Sequence, residues 1–302
     1  MTYKLLAIGE VMAEIRQDEA AGFAVGFAGD TYNTAVYFAR AHGAVASVSY
    51  LTAIGTDPLS QAFRRAAADE GIDLSHTQTD PVRNIGVYAV ATDAQGERSF
   101  SYWRSASAAR QMFAAPGQIV GLPPAEIAYL SGITLAILSP DARMRLMAHL
   151  RHRSKHQQGL IAFDPNYRPS LWENVEAARD CIDRMWEIAD IALPSIDDEM
   201  MLFADTSEEA VIDRFARRRW TACAIKRGER GPLSPGLTAA EHPAFPAATR
   251  VVDTTAAGDS FNGAYLAALL EGRGEAACLS AGHAMASRVI GDHGAILPRE
   301  QG

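Results

Sequence analysis

Short apolar runs alternate with helix-length amphipathic patterns along most of this 302-residue chain. The runs at 4–9, 47–54, 128–131, 160–164, 190–193, 221–226 and 250–253 have the length and continuous apolarity of buried strands. Helical spacing covers 31–42, 58–70, 140–153, 173–188, 207–218, 259–271 and 275–290, and Ser139-Pro140 reads as an N-cap followed by proline at the first helical position. Strands that are apolar on both sides need helices on both faces, and helical crossovers make neighbouring strands parallel. The alternation therefore predicts a single α/β domain over 1–302, with a Rossmann-like, mostly parallel sheet and helices on both faces. Ligands of such a sheet belong at the carboxyl ends of its strands.

One region breaks the rhythm. Val87-Tyr88-Ala89-Val90-Ala91 and Arg98-Ser99-Phe100-Ser101-Tyr102-Trp103 alternate with period two around Asp93-Ala94-Gln95-Gly96, which is hairpin chemistry. Residues 10–28 also fit no helix pattern. The expectation is a small β-sheet built from segments of about 10–30 and 83–106, standing off the main domain. Such a sheet serves as a lid that excludes water, as a surface for a homodimer or higher homo-oligomer, or as both.

Composition removes several function classes. A net charge of −8 supplies no basic face for a nucleic-acid backbone. Cys181, Cys223 and Cys278 are too few and too scattered for a disulfide framework or a zinc site. No apolar run approaches the ~20 residues of a membrane span, and the chain starts directly on a strand-like Leu5-Leu6-Ala7-Ile8. A cytoplasmic location is expected, with no membrane partner.

The chemistry concentrates in Asp253-Thr254-Thr255-Ala256-Ala257-Gly258-Asp259-Ser260-Phe261. After the β-branched pair Val251-Val252, small residues open a helix. Their N–H groups can approach an anion closely, and the helix dipole favours negative charge there. Asp259 sits where a carboxylate can accept a proton from an attacking hydroxyl. Taken locally, the same run also serves as an ordinary N-capped loop. No Walker P-loop pattern occurs.

The Asp259 run resembles the C-terminal signature of the ribokinase-like (PfkB-type) carbohydrate kinases, whose equivalent Asp is the catalytic base. Ala28-Gly29-Asp30-Thr31-Tyr32-Asn33 resembles the same family's N-terminal signature. Within the family, Gly9-Glu10-Val11-Met12, Tyr102-Trp103-Arg104, Asp164-Pro165-Asn166-Tyr167-Arg168-Pro169 and Gly294-Ala295-Ile296-Leu297-Pro298-Arg299 are similar to its 2-keto-3-deoxygluconate kinases.

The resemblance implies ATP and Mg²⁺, a sugar-acid substrate phosphorylated at its terminal hydroxyl, and Asp259 as base with a backbone anion hole at Ala256, Ala257, Gly258 and Asp259. It places Gly29, Asp30, Asn33, Tyr88, Tyr102, Arg104 and Arg168 on the substrate, the two arginines being suited to its carboxylate. Without that context either arginine reads as a surface or ion-pair residue, and Arg168 is also a candidate for the phosphoryl group being transferred. Ser195, Lys226, Gly228, Gly231 and Ala281 fall on the nucleotide side, and Ala281 shares its helix with His283, which is given no role.

Departures from the family pattern matter too. Ser195 stands where many relatives have Asn. Asp198 takes the place of an acidic residue near the magnesium, with a register that slips to Glu199 if the segment shifts by one. A requirement for a monovalent cation stays open. So do another sugar or sugar-acid substrate, such as fructose, ribose or a different keto-deoxy acid, and a non-catalytic sugar-acid binder on the same fold.

Overall fold

The computed structural model of the protein describes residues 3–18, 22–43, 46–92, 98–115, 117–120 and 122–299. The chain opens with β1 (Tyr3–Ile8), β2 (Met12–Asp18) and β3 (Gly22–Ala28), then α1 (Asp30–His42). β4 (Val48–Leu51), β5 (Ala53–Ile54), α2 (Pro58–Asp69), β6 (Ile72–Asp73) and β7 (Gln78–Thr79) follow. Next come β8 (Gly86–Thr92), β9 (Arg98–Trp103), α3 (Gly117–Val120), β10 (Ala125–Ser131), α4 (Gly132–Ile137) and α5 (Pro140–Lys155). β11 (Leu160–Asp164), α6 (Val175–Trp186), β12 (Ile191–Ala192), α7 (Ile196–Phe203) and α8 (Glu208–Ala216) lead to β13 (Ala222–Cys223). The long helices α9 (Ala257–Leu270) and α10 (Glu275–Val289) close the fold.

Seven strands form the main sheet in the order β13-β12-β11-β10-β1-β4-β6, and each neighbouring pair is parallel. The interior strand β1 explains the architecture. Leu5, Leu6, Ala7 and Ile8 of β1 are all fully buried, so both faces demand cover. Leu6 and Ile8 join a core with Leu146 and Leu150 of α5 and Ile182 and Met185 of α6. Leu5 and Ala7 join the opposite core with Val36 of α1, Phe261 and Tyr265 of α9, and Leu279 of α10. The expected doubly covered parallel sheet is therefore present.

A separate four-stranded sheet has the order β3-β2-β8-β9, with antiparallel pairs at β2/β3 and β8/β9 and a parallel pair at β2/β8. Tyr88 faces Tyr102 across the β8/β9 ladder. The 93–96 turn expected between these strands lies outside the described residues.

Three local readings need correction. Residues 250–253 form no strand, because Val252 N–H donates to Ile290 O at 2.7 Å and Val251 is left exposed instead of pairing with a neighbour. Residues 190–193 and 221–226 contribute ladders of only two residues each, β12 and β13. Two capped helices were not anticipated. Ser195 caps α7 through Asp198 N–H, and Ser131 caps α4 through Thr134 N–H.

Candidate active site

The start of β2, the segments following β12 and β13, the carboxyl end of β11 and the N-termini of α1 and α9 converge on one cavity of about 920 Å³. Gly29 precedes α1, and only glycine fits there: a Cβ would lie 2.2 Å from the Glu10 carbonyl oxygen. That close packing brings the first turn of α1 against the β1 end. Asn33, one turn along, donates through Nδ2 to Asp259 Oδ2 at 2.8 Å. Asp30 Oδ2 accepts from Asn166 Nδ2 at 2.9 Å, which ties α1 to the turn after β11.

α9 begins at Ala256, an N-cap residue in the left-handed region at φ 60°. That conformation costs a non-glycine residue about 1–2 kcal/mol, and such strain is typically held in place at working sites. Ala257 N–H is taken by Thr254 O at 3.2 Å. Among the described residues, the N–H groups of Gly258 and Asp259 have no acceptor in the chain. A Cβ at Gly258 would find its nearest neighbour, Lys226 Nζ, only at 3.8 Å. The turn thus offers two backbone donors, a nearby ammonium and open space to an anion.

Asp259 itself is partly buried at the first turn of α9. Burial, then the negative charge of Asp30, pushes its pKa up to about 7, against the opposing hydrogen bond from Asn33. Lys226 Nζ donates to Asp164 Oδ2 at 2.5 Å and to Asn262 Oδ1 at 3.2 Å.

Of the residues singled out from sequence, Gly29, Asp30, Asn33, Tyr88, Tyr102, Arg168, Ser195, Asp198, Lys226, Gly228 and Ala256 to Asp259 all line this cavity. Tyr88 donates its hydroxyl to Glu14 Oε1 at 2.7 Å and lies 5.8 Å, ring to ring, from Tyr102. Arg168 is half exposed, 3.4 Å from Asp198 Oδ1. Burial raises the Asp198 pKa, and Arg168 counters it.

Glu199 turns the other way. It is fully buried, accepting from Arg214 Nη1 at 2.5 Å and from Trp186 Nε1 at 3.2 Å. Of the two acids, Asp198 and not Glu199 lines the cavity.

Three expected residues do not line it. Arg104 is held by Glu10, a buried carboxylate whose second oxygen accepts from Ser107 Oγ at 2.5 Å. Gly231 closes a tight turn, donating to Gly228 O at 3.2 Å, and packs against Phe245. Ala281 packs into the core beside α9.

Asp164 and Asn262 were not singled out as site residues, nor was Asn166 for its bond to Asp30. Asn262 gave one usable signal: a polar side chain on an apolar helix face between Phe261 and Gly263.

A family model described as pfkB family carbohydrate kinase matches residues 3–301. The chain belongs to the pfkB family of carbohydrate kinases. It is 40% identical over 308 residues to the 2-dehydro-3-deoxygluconokinase of Escherichia coli strain K12, covering 99% of each. A fructokinase of Klebsiella pneumoniae is 30% identical over 274 residues, covering 89% of this chain and 85% of that one. The crystal structure of a PfkB protein from Polaromonas sp. JS666 superimposes with a TM-score of 0.79 at 25% identity, covering 96% of each chain. As a pfkB-family kinase the protein has its cavity at the carboxyl ends of the parallel strands, as expected for a ligand site of a doubly wound sheet. No described helix is long and apolar enough to cross a membrane.

Proposed function

We propose that the protein transfers the γ-phosphoryl group of ATP to the terminal primary hydroxyl of 2-keto-3-deoxy-D-gluconate, giving the 6-phosphate. Asp259 carries this reading: its carboxylate faces the cavity at a helix N-terminus, with a pKa lifted toward neutrality. Whole-length identity to 2-dehydro-3-deoxygluconokinases supports the substrate. The substrate hydroxyl gives its proton to Asp259 as its oxygen bonds to the γ-phosphorus. The bond from that phosphorus to the bridging oxygen breaks, and ADP leaves with the electron pair. The N–H groups of Gly258 and Asp259 and the Lys226 ammonium face the charge that collects on the phosphoryl oxygens.

On the sugar side, Gly29, Asp30, Asn33, Tyr88 and Tyr102 shape the site and Arg168 pairs with the carboxylate. Arg104 supports that wall through Glu10. Ser195, Lys226 and Gly228 line the nucleotide side. Mg²⁺, when bound, screens the phosphate charge. Asp198, which lines the cavity, is the residue that would hold the ion near the phosphates.

The small sheet acts as a lid, since Met12, Tyr88, Phe100 and Tyr102 line the cavity. Alternation places the exposed Phe23, Val25 and Trp103 on its outer face, which favours a homodimer through this sheet.

The test is ADP release with Mg²⁺-ATP across 2-keto-3-deoxygluconate, 2-keto-3-deoxygalactonate, gluconate, fructose and ribose. Highest kcat/KM on 2-keto-3-deoxygluconate is expected. Turnover on fructose or ribose alone would keep the kinase and overturn the substrate. Binding without ADP release would leave a non-catalytic sugar-acid protein.

A further inference from the structure

Lys226, Asp164 and Asn262 form a closed triangle beside the first turn of α9. Lys226 Nζ donates to both partners, at 2.5 Å and 3.2 Å, and Asn262 Nδ2 donates to the same Asp164 oxygen at 2.6 Å. Asn262 Nδ2 also reaches the Tyr129 hydroxyl at 3.1 Å. Thr34 Oγ1 lies 3.3 Å from that hydroxyl and 3.1 Å from the backbone oxygen of Asp259. Asp164 is 4% exposed, and Asn262, Tyr129 and Thr34 are fully buried, so the triangle is anchored in the core.

A purely structural ion pair would have no reason to border the ligand cavity. Lys226 does line it, and its Nζ is the nearest atom to the space over Gly258. An ammonium has three donors. Asp164 and Asn262 engage two of them, so one is available to a ligand. A lysine stem samples many rotamers when unrestrained, and two fixed acceptors remove that freedom before the ligand arrives.

We infer that Asp164 and Asn262 are positioning residues that hold the Lys226 ammonium at the N-terminus of α9, where it meets the phosphoryl group in transfer. This rests on the phosphoryl-transfer reading above. Three charges face Asp259 from the packed elements: Asp30 from α1, Asp164 from the end of β11 and Lys226 from beyond β13. The two acids push its pKa up and the lysine holds it down. A loosened Lys226 therefore makes Asp259 harder to ionise.

The experiment is a double-mutant cycle of Lys226→Met and Asn262→Leu, with Asn262→Ser in place of the leucine variant if that one does not fold. Lys226→Met lowers kcat by roughly 10²-fold, as loss of a charge-stabilising donor does. Asn262→Leu lowers kcat by about tenfold, and KM for the sugar acid stays near the wild-type value. Because Asn262 acts through Lys226, the double variant is no slower than Lys226→Met alone. The acid limb of the kcat/KM profile moves to higher pH in both single variants. ATP affinity of the free protein, read by titration calorimetry, falls in both. Multiplicative losses with an unmoved acid limb and unchanged ATP affinity would overturn the inference and leave Asn262 a packing residue. A wild-type protein that releases no ADP with any sugar or sugar acid would overturn the phosphoryl-transfer reading itself.

Discussion

Asn33 Nδ2 lies 2.8 Å from Asp259 Oδ2, joining the first turns of two helices whose contributing residues are 226 positions apart in the chain. The bond donates to the carboxylate and so favours its ionised form, against burial and the neighbouring Asp30. Asn33→Ala removes that support. We expect the acid limb of the kcat/KM profile to move to higher pH, and kcat/KM at pH 7 to fall by about 10- to 100-fold, the worth of a hydrogen bond to a charged group. A full pH–rate profile checks it, and an unmoved limb would refute it.

The raised pKa of Asp259 has consequences for both rate and stability. As the proposed base Asp259 must be ionised, so kcat/KM is expected to decline as pH falls through about 7. For stability the sign is opposite to that of a salt-bridged carboxylate. A folded-state pKa above the unfolded value gives stability that is full below the ordinary carboxyl range and lost as pH rises through about 7. Asp259→Asn cannot ionise, so it should raise Tm at both pH 5 and pH 8, and by more at pH 8. Thermal unfolding at the two pH values decides this.

Glu199 and Arg214 make a second prediction about stability, remote from the cavity. Burial pushes the Glu199 pKa up to about 7, and Arg214 at 2.5 Å holds it down. Arg214→Met strands a buried carboxylate, so a loss of roughly 3–5 kcal/mol is expected. The loss grows from pH 6 to pH 8, because ionising the unpaired acid becomes the dominant cost. Urea unfolding at both pH values measures it, and a pH-independent loss would contradict the assignment.

The two candidate arginines separate cleanly. Arg168 is half exposed on the cavity, whereas Arg104 is held by buried Glu10. Arg168→Met should raise KM for the keto acid by about tenfold or more, with Tm nearly unchanged. Arg104→Met should lower Tm markedly, because it leaves Glu10 buried without its partner. Steady-state kinetics and thermal unfolding of both variants test the pair.

The alternation of apolar runs made the parallel sheet legible, because a strand buried on both faces, such as Leu5 to Ile8, carries no other plausible pattern. Period-two alternation likewise exposed the β8/β9 pair. Val251-Val252 misled because β-branched residues mark strands only where a neighbouring strand exists to pair with. α7 was hidden by its length of eight residues, although Ser195 followed by Asp197, Asp198 and Glu199 is a helix start with acid in its first turn.

Gly29, Asp30, Asn33 and Asp259 were legible as motif residues at element boundaries. The pairing of Arg104 with Glu10 was not, being set by how the small sheet packs against the end of β1. Nor was the triangle of Asp164, Lys226 and Asn262, whose members lie 62 and 36 residues apart and meet only when β11, β13 and α9 assemble.

Asp259 is proposed as the base for phosphoryl transfer to a keto-deoxy sugar acid. The most direct measurement is ADP release with Mg²⁺-ATP and 2-keto-3-deoxygluconate by wild type and Asp259→Asn, with substrate affinity of both read by calorimetry. Strong wild-type turnover, a drop of about 10²–10⁴-fold in the variant and substrate affinity within a few-fold of wild type are expected. Turnover that survives in Asp259→Asn would contradict that role.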